Sequence, residues 1–352
     1  MLTELQGLVS FGAATRGFWP VLGNVPSVFG RKPRSKAPVY VTWSLTERCN
    51  LSCKHCSFGP ATPELTEVER VELAHKLANS KSWGVSLSGG EPTLVSALAD
   101  YVAILHEGGL YTSVATSGFR LGRHVPNLLK AGLDNLTISI DHYLAGEHDA
   151  FRGRSGLFEE ASEAINQLCS HRKKRPRVQI RTTIHRENVE AIPETIRYWQ
   201  KRADNVVVQV IQDNGIHKVR DSAVLFQSED RPRLEKLVET LQSEHPSLRT
   251  AYFNHMVDYV FEPEVLRKEL DFRCMVVPGT SVLLTPNGDV RLCYGHEEST
   301  IGNIMRDEME TLWTSTATCK TRRHMKSRDL KCMCWEGTNS PNLQLVSLLR
   351  RF

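Results

Sequence analysis

"VYVTWSLTERCNLSCKHC", residues 39–56, joins two unlike pieces. Its first seven residues are rich in β-branched and aromatic types, which reads as a strand. Its last eight carry Cys49, Cys53 and Cys56 in the spacing Cys-x3-Cys-x2-Cys. A strand that runs straight into a thiol-rich loop places that loop at the strand's C-terminal end. In parallel sheets with helical crossovers, that end carries the functional site.

The downstream sequence supplies such a sheet. Five more strand-like runs follow: "GVSLSGG" (84–90), "YTSVATSG" (111–118), "NLTISID" (135–141), "RVQIRTTI" (177–184) and "NVVVQVI" (205–211). Helix-like stretches separate them at 65–80, 95–108, 157–172 and 188–202. Strands alternating with helices predict parallel βαβ units. The fold class is therefore α/β, a partial (β/α)6 TIM-like barrel with its site at the polar strand ends. The rhythm stops near 215. A charged helical region follows, and residues 271–352 hold five of the nine cysteines. That last part reads as a small metal-stapled module. The expected division is an N-terminal segment (1–37), a core barrel (38–225), a helical connector (226–270) and a C-terminal module (271–352).

Composition narrows the class. The chain has 352 residues, with 44 basic against 40 acidic side chains. It is no polycation, and no nucleic-acid partner is expected. The first residues, "MLTELQGLVSFG", lack a basic stretch before an apolar run, so no secretory signal is expected. No run reaches about 18 apolar residues, so no membrane span is expected either. The expected location is the cytoplasm, where clustered cysteines serve metals rather than disulfides.

Structural zinc wants four ligands. Cys49, Cys53 and Cys56 supply three, and His55 is too close in sequence to Cys56 to join them easily. An iron–sulfur cubane offers another reading, because three thiolates leave one iron free to bind a substrate.

The cysteine spacing after a first strand resembles the radical S-adenosylmethionine (SAM) superfamily. Further segments carry the likeness in the same order. "SGGEP" (88–92) ends the second strand where the family has its GGEP motif; "ATSG" (115–118) ends the third and "SID" (139–141) the fourth. "EHDAFRG" (147–153) and "RTTIHREN" (181–188) are also family-like. The resemblance covers about 39–215. It implies a [4Fe-4S] cluster on Cys49, Cys53 and Cys56 that binds SAM and splits it to a 5′-deoxyadenosyl radical. It assigns SAM contacts to Gly89, Gly90, Glu91, Pro92, Ser117, Ser139, Asp141 and Arg152, the last toward the SAM carboxylate. The two glycines are read as letting backbone approach the ligand. Where relatives often place an aromatic that packs on adenine, this chain has His55, which can still stack.

The second cysteine group runs from Cys274 through a hairpin-like stretch, "SVLLTPNGDVRLC", to Cys293, then to Cys332 and Cys334 in "KCMCWEG". A turn and helix are expected over 301–313. The order resembles the SPASM extension, or its shorter twitch form. That implies a second, auxiliary [4Fe-4S] cluster on Cys274, Cys293, Cys332 and Cys334, with Cys319 able to substitute. A structural zinc knot is the alternative for these ligands. Cys169 reads as a core residue on a helix's apolar face.

The N-terminal segment pairs apolar and aromatic residues with Arg31, Lys32, Arg34 and Lys36. One reading packs it across the barrel bottom; the other gives residues 1–36 a peripheral membrane contact. The functional expectation is hydrogen abstraction from an unactivated carbon, with modification of a ribosomally made peptide as the leading substrate class. The alternatives are a sugar, cyclitol or lipid substrate, and a non-catalytic iron–sulfur scaffold or electron carrier. A flavodoxin or ferredoxin is the expected electron donor.

Overall fold

The computed structural model of the chain describes residues 18–28, 31–56, 63–171, 176–211, 213, 219–269, 279–293 and 297–325. Helix α1 (Phe18–Val28) precedes strand β1 (Tyr40–Ser44). Five crossovers follow. Helix α2 (Glu67–Ala78) leads to β2 (Gly84–Ser88), α3 (Leu98–Glu107) to β3 (Tyr111–Thr116), and α4 (Leu121–Lys130) to β4 (Asn135–Ser139). Helices α5 (Ala145–Arg152) and α6 (Leu157–His171) lead to β5 (Arg177–Ile184), and α7 (Ile192–Trp199) to β6 (Asn205–Val210). All six expected strands are present, each paired in parallel with the next in sequence.

The elements form where local chemistry and burial agree. Helix α2 opens on a capping box, in which Thr66 and Glu69 satisfy each other's backbone N–H groups. Along β1, Val41 and Trp43 are fully buried and pack toward the helices, while Tyr40 and Thr42 face the other way. Helix α4 was not anticipated, because Pro126 interrupts its pattern. Its Leu121, Val125 and Leu128 are nevertheless spaced to bury one face.

After β6 come α8 (Arg231–Glu244) and three short helices, α9 (Ala251–Asn254), α10 (Met256–Phe261) and α11 (Pro263–Glu269). They pack on α7 and the outer side of β5 and β6 through Leu234, Leu241 and Met256. The chain then returns to the barrel. Strand β7 (Ser281–Leu284) pairs in parallel with β1, and β8 (Asp289–Arg291) and β9 (Thr300–Asn303) add antiparallel strands beyond it. The sheet thus runs β6-β5-β4-β3-β2-β1-β7-β8-β9. The expected hairpin is present, but 300–303 is a strand where a turn was read. The helix after it, α12, spans Met309–Thr314, and α13 spans Thr316–Met325. Helix α1 packs beside them: Trp313 Nε1 donates to Asn24 Oδ1 at 2.8 Å, and Asn24 Nδ2 to the Ala37 carbonyl at 3.0 Å. Residues 18–28 therefore pack onto the barrel near the start of β7; residues 1–17 lie outside the described residues.

The sheet is rolled. Lys54, in the loop after β1, donates to Glu187 at 2.8 Å, beyond the end of β5. Its carbonyl accepts from the N–H groups of Arg220 and Asp221, both at 2.9 Å. On a flat sheet β1 and β6 would stand five spacings, about 24 Å, apart. Among the described residues β6 pairs only with β5, so the arc stays open along that edge.

Candidate functional site

The loop of residues 49–56 bridges the top of the arc and is held from several sides. Lys54 N donates to the Phe151 carbonyl at 2.9 Å, and Ser52 Oγ to that of Gly153 at 3.2 Å. Gly153 adopts φ 68°, and a Cβ there would lie against Ser52. On the other side, Gly90 N donates to the Thr46 carbonyl at 2.7 Å and Glu91 N to that of Arg48 at 3.0 Å. A Cβ on Gly90 would sit 2.3 Å from the Arg48 carbonyl oxygen, and one on Gly89 2.4 Å from that of Thr46. The close approach that requires glycine here is therefore to the backbone leading into Cys49. Glu64 completes the hold, accepting from Thr46 Oγ1 at 2.6 Å, Glu47 N at 2.9 Å and Arg70 Nη2 at 2.8 Å.

Cys53 is buried, Cys56 half-buried and Cys49 exposed. Burial pushes the Cys53 thiol up to about 11 and raises that of Cys49, while nearby Arg152 works in the opposite direction. Positive charge beyond that of Arg152 would favour the thiolate at Cys49 and Cys53. Among the described residues no three His, Cys, Asp or Glu side chains converge as around a single ion. A cubane makes no such demand, because each thiolate serves a different iron. The loop also holds buried polar atoms without a protein partner, the side-chain amide of Asn50 and Nδ1 of His55. Such atoms suit a site shaped around a bound group.

Asp141 and Arg152 form a buried ion pair, Arg152 Nε donating to Asp141 Oδ2 at 2.6 Å. Asp141 Oδ1 also accepts from Thr183 N at 2.8 Å. Burial works against its charge, but Arg152 and His148 hold the carboxyl below the usual range. Arg152 also reaches the Cys53 sulfur, so it links the strand end to the cysteine loop. Glu91 is buried and saturated: it accepts from Thr93 N and Oγ1, Thr116 Oγ1, and Ser117 N and Oγ, at 2.5–3.1 Å. Pro92 opens a short 3₁₀ turn over 92–94. Ser139 ends β4 and is half-buried. His55 stacks on Phe151 at 4.9 Å, which stacks on His185 at 3.9 Å.

The residues expected to share the site thus come together at one end of the sheet. Of the residues that hold the site, Glu64 went unread, and His148, Phe151 and Thr183 lay inside quoted segments without a role. The sequence does not show that Thr183 N meets Asp141 Oδ1 or that Phe151 stacks between His55 and His185. Cys293 follows β8 and is half-buried, its N–H donating to Ser299 Oγ at 3.1 Å. Cys274, Cys332 and Cys334 lie outside the described residues. Cys319 is buried on α13, 4.0 Å from Arg322 Nη1. Cys169 corrects its expectation: it is exposed on α6, its thiol directed at the Arg202 carbonyl at 3.2 Å. No helix among the described residues is long and apolar enough to cross a membrane.

The family model described as the radical SAM superfamily matches residues 43–198, and one described as an iron-sulfur cluster-binding domain matches 274–336. The second match begins at Cys274 and takes in Cys293, Cys332 and Cys334. Among curated proteins, the Fe-coproporphyrin III synthase of Methanosarcina barkeri is 33% identical over 175 residues, covering 48% of this chain and 42% of that one. The chain spans less than half the length of the first curated relatives it matches. The pre-heme d1 synthase of Dinoroseobacter shibae is 26% identical over 324 residues, covering 84% and 78%. Among solved structures, Streptococcus suis SuiB bound to its precursor peptide SuiA superposes with a TM-score of 0.61 at 16% identity, covering 84% of this chain and 69% of that one. That likeness is one of fold.

Proposed function

The chain belongs to the radical SAM superfamily and carries a second iron–sulfur cluster-binding domain, and on that premise we propose that it abstracts hydrogen from an unactivated carbon of a substrate held inside the arc. Cys49, Cys53 and Cys56 hold the first cluster. When bound, that cluster supplies the electron that splits SAM into methionine and a 5′-deoxyadenosyl radical. The chain's own residues do the positioning. Gly89, Gly90 and Glu91 bring the β2 end against the cysteine loop, and Ser117 and Ser139 line the approach to it. Asp141 and Arg152 fix the loop from below, and Arg152 would be the residue to meet the SAM carboxylate. Cys274, Cys293, Cys332 and Cys334 hold the auxiliary cluster. The protein works in the cytoplasm, with a flavodoxin or ferredoxin as electron donor. The single observation that carries this reading is the three-thiol loop, clamped on both sides beside the Gly89–Pro92 turn.

For the substrate, the relatives that align over the core are named as synthases of haem-type tetrapyrroles. This supports a small carboxylate-bearing molecule ahead of a peptide. A peptide is the second reading, supported by β6 being an edge strand among the described residues.

Anaerobic reconstitution tests the reading. The protein should carry about eight irons in two four-iron clusters, and reduction with SAM should release 5′-deoxyadenosine. Replacing Cys49, Cys53 and Cys56 by Ala should leave about four irons and abolish that product. A fully iron-loaded protein that binds SAM without cleaving it would instead point to the scaffold alternative.

A further inference from the structure

The face of the rolled sheet turned away from the helices has its own chemistry. Along each strand, residues alternate between the apolar core and this inner face. Thr42, Ser86, Ser113, Thr137, Gln179 and Gln209 all belong to the inner set. The aromatic rings of Tyr40, Trp83 and Tyr111 close its lower end, with Trp83 and Tyr111 stacked at 4.8 Å. The Tyr40 hydroxyl is hydrogen-bonded to Ser86 and Ser113, which fixes these side chains on the same side. The cysteine loop closes the upper end. Ala115, Val207 and Leu283 share this face, so the wall is mainly of hydroxyls and amides with a few apolar positions, and it suits a ligand that makes many hydrogen bonds.

Its charge is one-sided. Strands β1 to β6 contain no Asp or Glu, and their charged residues are Arg177 and Arg181. Arg177 opens β5 at the lower end. Arg181 lies in the wall itself, between Ile180 and Thr182, which are fully buried on the opposite face. It is level with Ser139 on β4 and close enough to Tyr40, across the arc, to act on that hydroxyl. It is exposed, and no carboxylate among the described residues lies within ion-pair distance of it. From Arg181 to His185, which touches the cysteine loop through Phe151, the strand rises about 13 Å. A guanidinium that has no acid within ion-pair distance among the described residues, and none on strands β1 to β6, reads as a binding feature rather than a structural one. Its fork of N–H donors matches a carboxylate or phosphate.

The geometry points to Arg181 as the residue that holds an anionic group, a carboxylate or phosphate, of a small hydrogen-bonding substrate, at the end remote from the carbon that loses hydrogen. The inference rests on the radical SAM reading, and it sharpens the substrate class to an anion: a neutral lipid or an uncharged cyclitol leaves Arg181 unmatched.

Arginine-selective labelling tests this without knowing the substrate. Full-length, cluster-loaded protein is treated anaerobically with phenylglyoxal, and adducts at Arg181 and at exposed Arg249 are followed by mass spectrometry. The probes are succinate and pyrophosphate, with inositol as the uncharged control. At about ten times a Kd of about 1 mM, a probe should slow labelling at Arg181 roughly tenfold and leave Arg249 unchanged. Protection by succinate alone identifies a carboxylate ligand; protection by pyrophosphate alone identifies a phosphate. The Arg181→Lys variant, which loses the adduct but keeps a cation, assigns the signal. Labelling unaffected by either anion, or slowed equally by inositol, overturns the proposal. So does full protection by SAM alone, because Arg181 would then serve the cofactor's carboxylate. Release of 5′-deoxyadenosine is scored separately, so the proposal can fail while the radical SAM reading stands.

Discussion

Arg152 Nε donates to Asp141 Oδ2 at 2.6 Å, with both side chains closed off from solvent. The pair ties the end of β4 to the last turn of α5, directly beneath Cys53. Removing one member leaves an uncompensated buried charge, which typically costs about 3–5 kcal/mol. Arg152→Met should therefore lower the urea midpoint of the cluster-free protein sharply. The double variant Asp141→Asn, Arg152→Met should lose less than the sum of the singles, with a coupling of about 1–3 kcal/mol. Additive effects would mean that the two groups act separately.

Gly90 gives a sharper test of the loop's packing. A Cβ at this position meets the Arg48 carbonyl, one residue before the first cysteine. Gly90→Ala should therefore reduce iron incorporation along with SAM binding, to about half the parent's iron or less if the first cluster fails to assemble. Full iron content with weakened SAM binding would show that the glycine serves the ligand alone.

The Glu91 carboxylate accepts from five donors on residues 93, 116 and 117, knitting the end of β2 to that of β3. Gln at this position keeps the size but replaces one acceptor oxygen with a donor that faces other donors. Glu91→Gln should destabilise the protein by about 1–3 kcal/mol. Denaturant titration reads this directly, and an unchanged midpoint would contradict the network.

Acid sensitivity follows from buried imidazoles, of which His148 and His185 lie outside the cysteine loop. Burial pushes His148 and His185 down to about 4, against an ordinary value near 6.5. Between those values the unfolded chain binds protons that the folded chain does not. Stability is therefore complete above about pH 6.5 and is lost as pH falls toward 4, at up to about 1.4 kcal/mol per pH unit for each histidine. The neighbouring titratable groups are Asp141, Arg152 and His142 at His148, and Asp141, Glu187, His55 and Lys54 at His185. Asp141, held below the usual carboxylate range, contributes no loss in this window. Urea midpoints at pH 7, 6 and 5 should fall progressively, and His148→Gln should flatten the slope. A midpoint constant from pH 7 to 5 would falsify the assignment.

The sequence by itself determined the parallel α/β architecture, because β-branched runs at crossover spacing leave few other arrangements. All six strands were legible for that reason, and helix α4 was hidden by Pro126. The sequence also identified the cysteine loop and the Gly89–Pro92 turn, whose residues are contiguous. Only the tertiary structure decided what those residues touch. The Asn-Gly hairpin was readable, but its pairing with β1 was not, since that register joins residues some 240 positions apart. Cys169 looked like a core residue from its neighbours and proved exposed, because local pattern does not say which arc of a helix the sheet covers. The need for glycine at 89 and 90 was visible in the motif, while its cause, the backbone of residues 46–48, appeared only when two strand ends were brought side by side. Arg181 was part of a readable strand. That it stands in a wall without acids depends on six strands closing around it, and alternation along one strand cannot reveal what the opposite strands present.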